Sequence, residues 1–112
     1  MMLETRAGHP FDAALLAHYF QALVNMFFKI LPMKENGEAS LDVYMQSMQS
    51  EMLGAQRLVS SLEDDSLYAS MLFILQSLID HPEWSAKRVK REVFRAISLC
   101  NKMKSRLGGD AL

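Results

Sequence analysis

Residues Trp84–Gly109 read WSAKRVKREVFRAISLCNKMKSRLGG and hold eight of the chain's twelve lysines and arginines. Through this basic stretch Ala86, Val89, Val93, Ala96, Cys100, Met103 and Leu107 recur at alternating steps of three and four. Such steps return side chains to one face of an α-helix, and their unbroken alternation is the seam of a helix packed knobs-into-holes on a neighbour. Gly108-Gly109 ends the run with the residue that accepts a left-handed C-cap. A strand would need a period of two, which is absent here. The stretch is helical, and it sets the class of the fold.

Working backward, Asp80 and Glu83 with Pro82 between them predict a capping box, so this last helix is expected over 82–107. The preceding segment, SLYASMLFILQSLID over 66–80, is apolar nearly all round, with Leu67, Tyr68, Met71, Leu72, Phe73, Ile74, Leu75, Leu78 and Ile79. A helix of that kind is expected in the middle of the domain. Glu63-Asp64-Asp65 supplies its N-cap and favourable negative charge. A third helix is expected over 39–62, where Leu41, Met45, Met48, Met52, Ala55, Val59 and Leu62 repeat the seam pattern. Before it, MKENGE (33–38) is a polar turn centred on Asn36-Gly37. The first helix is expected over 10–31, opened by Pro10 and stopped by Pro32. No strand-like alternation, internal repeat or low-complexity tract interrupts this order. The expected fold is all-α: one four-helix bundle-like domain, with helices 10–31 and 66–80 central, helices 39–62 and 82–107 flanking, and flexible tails over 1–9 and 108–112.

A chain of 112 residues, half of them hydrophobic, suits one domain with a substantial core. The single cysteine excludes an intramolecular disulfide, and no secretory signal stands at the start, so a cytoplasmic location is expected. The apolar run 11–31 has the length of a membrane span. His18, Gln21, Asn25 and Lys29 nevertheless fall at spacings of three and four, a polar stripe that hydrocarbon penalises and a water-facing helix edge requires. The expectation is a helix with one wet edge, and no membrane partner.

Catalysis needs groups that converge. Cys100 sits on the last seam between Ala96 and Met103, where a thiol acts as a small hydrophobe. His18 and His81 have no second ligand at helical spacing and His9 has only Asp12, whereas zinc needs three or four ligands. Glu63-Asp64-Asp65 lacks the spaced oxygens of a calcium loop, and there is no glycine-rich phosphate loop. No catalytic, metal or cofactor residue is expected, no small-molecule substrate is inferred, and the chain does not read as an enzyme.

Charge is distributed unevenly. Residues 1–82 carry four basic and ten acidic side chains, net −6, whereas residues 83–112 carry eight and three, net +5. On a helical wheel Arg88, Arg91, Arg95, Lys102 and Arg106 fall within about 60° of one another, away from the seam. Trp84 heads this ridge and Phe94 stands beside it. Two readings follow for the aromatics: they fill a second helix contact, or they join the arginines in a binding surface. The methionines Met45, Met48 and Met52 likewise read as core filler or as an adaptable groove for a partner helix.

The expected function is therefore a non-catalytic helical interaction protein: an adaptor, an assembly subunit or a small chaperone. Its surface would comprise Trp84, Arg88, Arg91, Phe94, Arg95, Lys102 and Arg106, with a secondary groove at Met45, Met48 and Met52. The partner would be another protein or a second copy of the chain. Nucleic-acid binding through the basic ridge is the alternative, opposed by the sequence pI near 6.3 and the acidic remainder.

Overall fold

A computed structural model describes residues 2–4 and 10–108, with side chains described for 14–59 and 61–107. In chain order the elements are β1 (Met2–Glu4), β2 (Pro10–Asp12), α1 (Ala13–Glu35), α2 (Leu41–Leu58), α3 (Ser60–Glu63), α4 (Ser66–Asp80) and α5 (Ala86–Gly108). The fold is a helical globule with a short ribbon at its N-terminal end. In that ribbon β1 and β2 pair antiparallel with Leu3 opposite Phe11. The all-α class holds, with this single three-residue pairing beside the helices; the corrected expectation is a first helix opening at Pro10, since α1 opens at Ala13. Three residues are too few for alternation to register, and proline is tolerated at a strand's first position as well as in a first helical turn. His9 lies outside the described residues.

Pro32 does not stop α1, which runs on to Glu35. A proline removes one backbone donor, and this one sits where few further turns depend on it. The helix ends instead at Asn36-Gly37. Gly37 adopts φ 62°, Glu38 N donates to Met33 O at 3.0 Å, and Gly37 N donates to Lys34 O at 3.1 Å. These two bonds form a Schellman closure, and only the glycine takes its left-handed position without strain.

The expected helix 39–62 is broken. Val59 is extended (φ −110°, ψ 103°), which separates α2 from the single turn α3. The seam hides the break, because Val59 and Leu62 remain buried on either side of it. Asp65 caps α4 as expected: its Oδ1 accepts from Leu67 N at 2.9 Å and Tyr68 N at 3.1 Å. The last helix opens four residues later than expected. Asp80 belongs to α4, Glu83 meets His81 instead of a helix terminus, and Ser85 Oγ accepts from Arg88 N at 3.2 Å. A serine accepting from the third amide of a helix is an N-cap in its own right.

Packing places α1 along α5 for much of its length, and α5 also packs on α4; α2 joins through α4, α3 and α1. The final helix is thus flanked on two sides instead of standing at the edge. Nor is α4 buried all round, because Phe73 is 73% exposed. The core is filled by Phe20, Leu23, Phe27 and Ile30 of α1, Met45, Met48 and Met52 of α2, Tyr68, Met71 and Leu75 of α4, and Val93, Ala96 and Cys100 of α5. One buried polar chain crosses it. Tyr68 Oη donates to Met52 O at 2.7 Å and lies 3.1 Å from Tyr19 Oη. Burial without an unpaired hydroxyl lets the tyrosines contribute apolar area at little polar cost. α1 is long and apolar enough to cross a membrane by length and composition. In this fold Leu16, Phe20, Leu23, Phe27 and Ile30 of α1 are covered, and the stripe His18, Gln21, Asn25 and Lys29 is exposed together with Leu15 and Phe28.

Cys100 is fully buried, with its thiol 3.1 Å from Met71 Sδ, and burial pushes its pKa up to about 12. Burial likewise raises Tyr19 to about 12. Between the ordinary and the raised values the unfolded chain has lost these protons and the folded chain keeps them. Stability is therefore full below about pH 9 and falls as pH rises toward 12. Urea titrations across that range should show the midpoint dropping, and a thiol reagent at neutral pH should label Cys100 only after denaturation. Rapid labelling of the folded protein would contradict the seam.

Candidate interaction surface

Eight cations and one carboxylate lie on α5. The carboxylate, Glu92, is turned inward with 8% exposure and held by two arginines. Arg95 Nη1 lies 2.7 Å from Glu92 Oε1, and Arg91 Nε lies 3.8 Å from Oε2. Heptad position predicts Glu92 no better than its neighbours; it borders Val93 and Ala96 on the packed side, and the arginines offset the cost of its burial. Arg106 is tied across to α4 through Asp65 at 2.9 Å. The five-residue ridge is exposed throughout, but its arginines have different duties. Among the described residues Lys87, Lys90 and Lys102 are the exposed α5 cations left without an ion-pair, side-chain hydrogen-bond or aromatic partner.

Trp84 is half-buried in the α4–α5 turn. Its indole stacks on the His81 ring at 4.5 Å and 2°, and the Arg88 guanidinium stands 4.0 Å from its centroid. Glu83 joins by accepting at His81 Nδ1 at 2.9 Å, and Lys34 Nζ donates to Pro82 O at 2.9 Å. Glu83's own backbone amide, and then the His81 contact, draw its exposed carboxyl below the usual range. Trp84 thus pins the turn, and with Arg88 it is only partly available to a partner.

Phe94 stays 43% exposed and meets Phe28 of α1 edge to face, with centroids 5.8 Å apart at 82°. Phe94 therefore packs one edge on a second helix, the first of its two readings, and leaves the rest to solvent. Phe28 is itself 42% exposed. Its position was legible: it lies three residues from Asn25 and seven from Gln21, beside the wet stripe. Phe73 was legible in the same way, since Ser66, Ser70, Ser77 and Asp80 share its side of α4. The pattern of three phenylalanines on α4, α5 and α1, with α5 between, was not.

The methionine groove is corrected. Met45, Met48 and Met52 are buried, their seam filled from inside the molecule. Only Met45 reaches a cleft, an opening of about 260 Å³ walled by Ile30, Leu78 and Val89 and rimmed by Lys34, Glu38 and Asp42. Chemically the α5 side can offer cations, hydroxyls and aromatic edges to a surface of opposite charge. No group of three histidine, cysteine or acidic residues able to hold a metal occurs among the described residues. Comparisons with protein-family models, curated proteins and solved structures find no match to this chain.

Proposed function

We propose that the chain is a non-catalytic interaction protein, a four-helix bundle-like scaffold that presents the outer side of α5 to a protein partner. The observation that carries this reading is the coincidence of exposed Phe94, its neighbour Phe28, and Lys87 and Lys90, which have no partner among the described residues. Lys90 and Lys87 lie four and seven residues before Phe94, on its side of the helix. Aromatic anchors ringed by polar and charged side chains are where binding energy concentrates in protein interfaces. Uncompensated cations add long-range attraction and orientation.

The test is the double variant Lys87→Glu, Lys90→Glu, with Phe94→Ala alongside. Both lysines are exposed, so stability should change by no more than about 0.5 kcal/mol. Complexes captured from the source cells by cross-linking, and self-association followed by sedimentation, should be lost in the double variant. Phe94→Ala should weaken them by about 1–3 kcal/mol. A double variant that keeps every association of the parent chain would refute the reading.

A further inference from the structure

Two shallow hollows between α4 and α5 join into one groove, because Ser98 and Lys102 line both. One end is walled by Arg91 and Arg95, the other by Arg106, where Asp65 engages the guanidinium and closes the run. Hydroxyls of Ser70, Ser98 and Ser105 stand between the cations, and no carboxylate lines either hollow. Leu67 and Leu99 give the wall its apolar patches. Phe73 stands one turn from Ser70 on the α4 border, 73% exposed. From Arg91 to Arg106 the helix rises about 22 Å, the length of about four turns of a second helix laid beside it.

We propose that this groove seats an acidic, amphipathic helical segment of the partner protein; the proposal rests on the interaction reading above. Its polar lining is cations, hydroxyls and the Asn101 amide with no carboxylate, and Lys102 is the cation there without an internal partner, so it favours a ligand carrying carboxylates or phosphates. Leu67 and Leu99 add apolar contacts, with exposed Phe73 nearby on α4, which a helix with aliphatic residues on one side and glutamates or aspartates on its flanks satisfies together. A long nucleic acid would leave the groove at both ends and meet a surface whose sequence, residues 1–82, is net −6. A short acidic helix need not cross that acidic surface.

The probes are an acetylated and amidated peptide of about 16 residues, about 24 Å as a helix, with leucines at i, i+4, i+7 and i+11 and glutamates on both flanks. Its twin carries glutamine for every glutamate, and a single-stranded oligonucleotide of similar length is the third probe. Binding is followed by fluorescence anisotropy to the full chain and to Ser98→Glu, whose side chain is exposed. The acidic peptide should bind at least about tenfold more tightly than its twin and the oligonucleotide, and Ser98→Glu should cost at least about tenfold. No binding of the acidic peptide, equal binding of the twin, indifference to Ser98→Glu, or preference for the oligonucleotide would each overturn the proposal. The two levels separate cleanly. If Lys87→Glu, Lys90→Glu releases the cellular partner while Ser98→Glu retains it, the groove assignment fails and the interaction reading stands; if neither variant matters, both fail.

Discussion

Met52→Asp should abolish cooperative folding. Met52 has no exposed surface, it sits on the inner seam of α2, and its own carbonyl accepts the Tyr68 hydroxyl at 2.7 Å. A carboxylate placed there loses its hydration and finds no cation, at a cost of several kcal/mol even if it takes up a proton. Domains of this size are held by about 5–15 kcal/mol, so one such substitution removes much of the margin. Circular dichroism should show lost helix or a broad, non-cooperative melt. A folded Met52→Asp protein that lost only an association would mean that the methionine seam opens to a partner.

Arg95→Glu combined with Arg91→Glu should destabilise by roughly 2–4 kcal/mol, far more than reversal of exposed charge elsewhere. Both arginines are exposed, and from the sequence their reversal looks harmless. Their partner is not exposed: Glu92 is the one buried charged side chain among the described residues, and these two guanidiniums are its ion-pair partners. Reversal would strand that carboxylate beside two more. For a chain this short the loss should lower the melting temperature by at least about 8 °C. Adding Glu92→Gln should recover much of the loss. An equal loss with and without Glu92→Gln would show that the ion pairs do not support the fold. Charge reversals meant to probe binding are accordingly better placed at Lys87 and Lys90.

The helices were readable because burial repeats. Val89, Val93, Ala96, Cys100 and Met103 recur at helical steps, and all are buried. Where a rule concerned single residues it gave several outcomes. Proline at 32 was compatible with a stop or with a last turn, and the Schellman closure at Gly37 decided for the latter. The break at Val59 preserves the apolar spacing, so periodicity could not register it. The surface was half readable. The cationic ridge followed from spacing alone, but spacing within one helix says nothing of which helix lies beside it. Phe28 meets Phe94, and Arg106 meets Asp65, only because α1 and α4 both pack on α5. Exposure of Phe73 reverses the view of α4 as a fully enclosed helix, since a run of apolar residues cannot say how many neighbours will cover it.

We expect a protein partner to meet the molecule on its α5 side. Site-specific photo-cross-linking tests it most directly, with a benzophenone amino acid placed at Phe94, at Phe73, or at Val43, which is 69% exposed on α2. Irradiation in the source cells should give a discrete adduct of the same mass from positions 94 and 73 and none from 43. Adducts from 43 alone, or none from 94 and 73, would contradict the claim.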